Sequence, residues 1–159
     1  MQAYERYGRA LIRKAERILR SGDDARDVVH SLFVEMLQAG DAPEDLPYLY
    51  RAVTHRCLSF LRDEKNRARL LAQHDDALRG PIRTHVDERV IDMDMLVKLV
   101  AQLDEESAQV LVYRYLDEMT QEEIASMLGL SRKTIGKRLD AITDVVTRLA
   151  GPPATGAAS

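Results

Sequence analysis

Residues 119–139 read MTQEEIASMLGLSRKTIGKRL, and their punctuation decides the fold. Thr120 followed three residues later by Glu123 is the pattern of a capping box, in which hydroxyl and carboxylate each satisfy an orphan backbone N–H at a helix start. Ile124, Ala125 and Leu128 then recur at helical spacing, Gly129 supplies the left-handed residue that ends such a helix, and Ser131 can cap the next one. The spacing predicts a helix, a short turn, and a second helix that buries Ile135, Leu139, Ile142 and Val146. Arg132, Lys133, Thr134, Lys137 and Arg138 fall mostly on its other faces. This is helix-turn-helix geometry with a basic second helix. Side chains near the start of such a helix enter the major groove, where Arg or Lys donates to guanine O6 and N7 and Thr touches a thymine methyl. Those five residues are therefore candidate DNA readers. The alternative, from this motif alone, is a helical hairpin with a solvated basic face.

Just upstream, Met95, Leu96, Leu99, Val100 and Leu103 form another apolar helical stripe, and Asp104 is placed to cap a helix presenting Val110, Leu111 and Leu116. Residues 73–89, with Gly80-Pro81 and scattered charge, lack periodicity and read as a flexible linker. Before the linker, Tyr4, Tyr7, Leu11, Ala15, Ile18 and Leu19 mark a first helix that stops near Ser21-Gly22. Asp23 or Asp24 is expected to cap a second, whose Val28, Val29, Leu32, Phe33, Met36 and Leu37 form a stripe to be buried, ending at Gly40. Pro43 and Pro47 bracket the entry to a third helix carrying Leu49, Val53, Cys57, Leu58 and Leu61. Residues 62–69 read as a solvated, mixed-charge extension of it. The expected architecture is all-α: a first domain over 1–72, the linker, a helix-turn-helix domain over 90–150, and a disordered tail over 151–159.

Composition agrees. The chain has 159 residues, 45% hydrophobic and 31% charged, with 5% aromatic and no Trp, which suits aliphatic helical packing rather than a β-sandwich. One Cys allows neither an internal disulfide nor a zinc ribbon, so a reducing compartment is expected. No apolar signal core opens the sequence and no stretch nears the roughly 18 apolar residues of a membrane span, which predicts a cytoplasmic protein without membrane insertion. Net charge is −3, yet residues 1–70 and 132–159 are weakly basic and the stretch between them is acidic. Basic clusters at both ends can face nucleic acid while the middle faces solvent or protein. The four His residues are scattered without metal-ligand spacing, and no Gly-rich phosphate loop occurs, so neither catalytic residues, nor metal, nor a cofactor is expected.

Two stretches carry a family resemblance. Ala25-Arg-Asp27-Val-Val-His30-Ser-Leu-Phe33, preceded by Tyr4-Glu-Arg-Tyr7-Gly8, resembles region two of bacterial RNA polymerase sigma factors. Residues 48–62, YLYRAVTHRCLSFLR, look like that family's promoter-facing helix, and residues 119–139 look like its region four. With nothing between them but the linker, the plan is similar to that of the extracytoplasmic-function (ECF) class. The resemblance implies a non-catalytic initiation subunit that directs core polymerase to promoters. It implies core binding at the β′ clamp helices by Asp27, His30, Phe33 and Glu35, with His30 standing where relatives carry Gln. It implies minus-ten recognition by Tyr48, Tyr50, His55, Arg56, Ser59, Arg62, Lys65 and Arg67, which offer cations for the backbone and planar groups for unpaired bases. His55 and Ser59 stand where many relatives have Asn and Asp. It implies minus-thirty-five recognition by the five helix-turn-helix residues, contact with the β flap, and control by an anti-sigma factor. From the residues themselves, Phe33 in its apolar stripe is better explained by core packing, and Tyr48 and Tyr50 are as well explained by packing as by base stacking. Two other function classes remain open: a stand-alone DNA-binding regulator, and a sigma-like protein that binds polymerase without melting promoters.

Overall fold

The computed structural model describes residues 2–40, 43–73 and 91–150; the expected linker, apart from Gln73, and the expected tail lie outside them. The regular elements among these residues are all helical, and the chain divides into two units at Asp63 and Glu64.

The first unit contains α1 (Gln2–Leu19), α2 (Gly22–Ala39) and α3 (Leu46–Arg62). Leu11, Ala15, Ile18 and Leu19 of α1 meet Val29, Leu32, Phe33 and Met36 of α2 and Leu49, Val53, Cys57, Leu58 and Leu61 of α3, all buried. Each large aliphatic side chain so placed contributes about 1.5–3 kcal/mol relative to exposure. The expected stripe of α2 is corrected at one end, because Leu37 is 63% exposed. At about 100° per residue, Leu37 lies well round from Met36 and shares its outward face with Val34, which is 50% exposed. The cap is corrected too: Ser21, one position before Gly22, accepts a hydrogen bond from the Asp24 N–H at 3.3 Å, so neither Asp23 nor Asp24 is the N-cap. Gly40 closes α2 at φ 86°, its N–H donating to the Met36 carbonyl. The turn out of α1 uses Arg20 at φ 55°, a left-handed conformation that L side chains enter at a cost of about 1–2 kcal/mol. Asp45 caps α3, with Pro47 in its first turn.

The second unit holds α4 (Glu64–Gln73), α5 (Met93–Gln102), α6 (Glu105–Leu111), a π-helical turn (Val112–Leu116), α7 (Gln121–Leu128) and α8 (Arg132–Ala150). The sequence carried the first domain to residue 72, whereas α4 groups with the second unit and packs on α5. It is not a purely solvated extension, since Leu70 is fully buried. The expected cap of Asp104 is present, its carboxylate accepting from the Ser107 N–H at 2.8 Å, and Asp92 caps α5 in the same way. Val110 and Leu111 are buried, but Leu116 is only half-buried, because the wider π turn rotates the chain. The side chain that fills the space is Tyr113, fully buried, its hydroxyl donating to Gln109 Oε1 at 3.3 Å. Ile135, Ile142, Val145 and Val146 seat α8 on this core, with Leu139 half-buried at its margin.

Gly136 is a helix-interior glycine in α8, and a Cβ built there meets only Gln121 Nε2 at 3.5 Å, an ordinary contact. Gly136→Ala therefore removes backbone entropy from the unfolded chain without a clash. Urea denaturation followed by helical circular dichroism should show about 0.5–1 kcal/mol of added stability in the transition of the second unit.

Candidate nucleic-acid interface

Three outward helix faces collect the candidate residues. On α2, Asp27, His30, Val34 and Leu37 follow one another around the exposed arc, as their one-turn spacing requires. Asp27 is exposed and has no partner among the described residues. His30 is exposed as well, its Nε2 in hydrogen-bond contact with the Tyr4 hydroxyl at 2.6 Å. Phe33, on the flank beside His30, turns inward: it is 4% exposed and meets edge-on, at 5.2 Å, the Tyr4 ring that His30 also faces, so packing accounts for it. Glu35 sits at the far edge of the helix and forms an ion pair with Arg56 of α3. Of the residues assigned to polymerase by resemblance, the fold thus brings Asp27 and His30 together and separates Phe33 and Glu35. Val34 and Leu37 were missed as surface residues because alternation between apolar and polar positions is blurred where apolar side chains are adjacent in sequence.

On α3 the outward arc carries Tyr48, Arg51, His55, Ser59 and Arg62, with His55 and Ser59 exposed and the others half-buried. Arg51 was not singled out by sequence, though its spacing of four from His55 places it there. Tyr50 falls on the opposite side. Its ring lies under the ammonium of Lys14, 4.1 Å from centroid to Nζ, and its hydroxyl accepts from Arg17 at 3.4 Å. Lys14 is itself fully buried, so the ring supplies part of the compensation that a cation removed from water requires. Tyr50 is thereby engaged within the three-helix unit, which favours packing over base stacking for it. Arg56 is turned toward α2 by its pairing with Glu35. Lys65 and Arg67 lie on α4, in the second unit.

The helix-turn-helix forms as its punctuation requires. The Thr120 hydroxyl accepts from the Glu123 N–H at 3.1 Å while the Glu123 carboxylate accepts from the Thr120 N–H at 2.8 Å. Gly129 ends α7 at φ 69°, and Ser131 caps α8 by accepting from the Thr134 N–H at 3.0 Å. These caps direct the first turns of α8 outward. Lys133 and Lys137 are exposed and unpartnered among the described residues. Arg132 is exposed and paired with Glu122 of α7 at 3.2 Å, a contact open to solvent and worth at most about 1 kcal/mol. Thr134 is half-buried and shares a hydrogen bond with Ser131. Arg138 differs from the others, because its Nε donates to Glu106 at 2.6 Å and its Nη1 to Asp104 at 3.4 Å. The outward face turns acidic one turn on, at Asp140 and Asp144, and basic again in the last turn at the exposed Arg148, so Lys133 and Lys137 form a cationic cluster of their own at the start of the helix. No group of His, Cys, Asp and Glu among the described residues has the arrangement of a metal site, and no described helix is long and apolar enough to cross a membrane.

Two family models match the chain. The model of sigma-70 region 2 matches residues 3–67, and that of sigma-70, region 4, matches residues 93–140. The first runs from the second residue of α1 through α3 and ends inside α4; the second runs from α5 into the first half of α8. No curated protein and no solved structure matches the chain.

The capping box makes the motif sensitive to acid. Hydrogen bonds from the Thr120 backbone N–H, and then from its side chain, hold the Glu123 carboxyl below the usual carboxylate range. A depressed carboxyl contributes stability that is present above its unfolded pKa and lost as pH falls through the folded one. In urea titrations run from neutral pH downward, stability of the second unit should fall through that window in the native chain, and Glu123→Gln should flatten this component of the fall.

Proposed function

Since the chain belongs to the sigma-70 family, with region 2 followed by region 4 as in the ECF-type architecture, we propose that it is an initiation subunit that docks on core RNA polymerase through α2 and reads promoter DNA through α3 and α8. Sigma-70 domains make it a DNA-binding transcription initiation factor; catalysis of RNA synthesis belongs to the polymerase it serves.

The observation that carries the docking half is the outward arc of α2. A three-helix unit this small has every reason to bury Leu37 and Val34, yet both stay more than half or about half in water beside Asp27, which is unpartnered among the described residues. Exposed apolar side chains flanked by a charge are the usual core and rim of a protein contact. On this reading the clamp helices of the β′ subunit cover Val34 and Leu37, with Asp27 and His30 at the margin. An anti-sigma factor would act by covering the same arc.

Promoter recognition divides between the units. The α3 arc of Tyr48, His55, Ser59 and Arg62 offers a planar phenol, an imidazole and a guanidinium cation to the unpaired minus-ten strand, the combination that single-stranded nucleic acid requires. The start of α8 offers Lys133, Thr134, Lys137 and a releasable Arg132 to the minus-thirty-five major groove. With a net charge of −3 the free chain has little counterion release to gain on duplex DNA, so tight binding needs the polymerase to supply further contacts and to hold both readers on one promoter. Such a protein works in the bacterial cytoplasm, where the polymerase is.

Leu37→Ala and Asp27→Ala, in the full chain, should each weaken co-elution with core polymerase, Leu37→Ala by about tenfold, while leaving helix content unchanged. Run-off transcription from a genomic promoter library should lose its discrete start sites in parallel. Undiminished co-elution by both variants would remove α2 as the docking face. Binding of duplex DNA by the free chain as tight as on polymerase would favour the stand-alone regulator instead.

A further inference from the structure

The cations of α8 are of two kinds. Lys133 and Lys137 project from the outward face, whereas Arg138 lies about 100° round the helix from Lys137, on the flank that meets α6. There its guanidinium is the only α8 cation given two carboxylates among the described residues, Nε to Glu106 Oε1 at 2.6 Å and Nη1 to Asp104 Oδ2 at 3.4 Å. Asp104 is doubly used, because its other oxygen caps α6 by accepting from the Ser107 N–H at 2.8 Å. The apolar seat of α8 is Ile135, Ile142, Val145 and Val146, whose burial is non-directional. Charge-assisted hydrogen bonds are directional.

We infer that Arg138 is a positioning residue: pinned by Glu106 and Asp104 to the first turn of α6, it sets the roll of α8 and thereby the aim of Lys133, Thr134 and Lys137, and it does not itself contact DNA. This rests on the reading of α8 as the helix that enters the major groove. A small roll at Arg138 is carried to every outward side chain of the same rigid helix, so losing the pin costs binding through residues that are chemically untouched.

The two possible roles of Arg138 predict opposite signs for one substitution. If Arg138 held a phosphate and Glu106 merely competed for it, Glu106→Gln would release the guanidinium, remove a negative charge and tighten binding. If Arg138 positions α8, Glu106→Gln loosens the pin and weakens binding despite the lost charge. The test uses holoenzyme assembled from the full chain and core polymerase, with a duplex selected by that holoenzyme from a random pool, and measures Kd across a salt series. Arg138→Gln and Glu106→Gln should each weaken binding about three- to tenfold, and the double variant should be no weaker than the worse single, since both break one contact. The slope of log Kd against log salt should not change in either, because no phosphate contact is lost. Lys137→Ala and Lys133→Ala are the controls: each should lower that slope by about 1, as loss of one phosphate contact does. Tighter binding by Glu106→Gln, or a lowered slope with Arg138→Gln, overturns the inference while α8 still reads DNA. If Lys133→Ala and Lys137→Ala change neither Kd nor slope, the placement of α8 in the groove falls, and this inference with it. Should Arg138→Gln fold poorly, the sign of the Glu106→Gln effect decides alone.

Discussion

The capping box at Thr120 and Glu123, the left-handed Gly129 and the Ser131 cap fix where α7 starts, where it stops and where α8 begins. A helix end leaves several backbone N–H or C=O groups without partners, and these side chains satisfy them with specific geometry. The turn therefore has little freedom, and it contributes to the angle between the two helices together with the packing of Ile135 and Ile142 on the core. Everything that α8 presents depends on it. Gly129 at φ 69° could not be replaced by a β-branched residue without strain, and the fold has placed glycine at that point.

Both units spend one face of each helix on packing and leave the other available, and the two kinds of face are kept apart by charge. In the first unit, α1 and α3 hold Tyr50 between them through Lys14 and Arg17, which consumes one aromatic and leaves Tyr48 on the outside. The Glu35–Arg56 pair fastens α2 to α3 and removes from their outward arcs one residue apiece. What remains on the outward arc of α2 is apolar at Val34 and Leu37 with an acid and an imidazole beside them, and on α3 it is polar and basic. Adjacent helices of one small unit thus offer chemically different surfaces, one suited to protein and the other to nucleic acid.

Much of this was legible in the sequence where a local rule applies. Caps and glycine stops need only a few neighbouring residues, and Thr120, Glu123, Gly129, Ser131, Asp104 and Gly40 all serve as their spacing indicates. The misreadings fall where a residue's fate is set by distant partners. Leu37 reads as core because it follows Met36, but no helix covers that angle of α2 among the described residues. Nothing local to Lys14 marks it for the interior, where it is buried with the ring of Tyr50, thirty-six positions on, beside its ammonium. Arg138 reads as one more cation of a basic helix, while its carboxylate partners come from α6, more than thirty residues earlier. Tyr113 reads as nothing in particular, and fills the second core because a π turn rotates it inward. Cap chemistry is short-ranged and sequence-readable; the pairing of a long charged side chain is not.

The distribution of charge along α8 bears on how much of promoter recognition this helix can carry. Its outward face is cationic at Lys133 and Lys137, acidic at Asp140 and Asp144, and basic again at Arg148 in the last turn, so near the start of the helix about two turns approach phosphate before an acidic stretch repels it. A helix that engages DNA by its first turns alone enters the groove end-on, with few base contacts, each worth about 1–3 kcal/mol. Such a reader gains modest affinity by itself and gains most from a second reader held on the same molecule. If α3 and α8 read promoter DNA as proposed, a chain that joins region 2 to region 4 follows from the weakness of each: neither face, on a chain of net negative charge, would hold a promoter alone, and joining them would turn two weak contacts into one selective one.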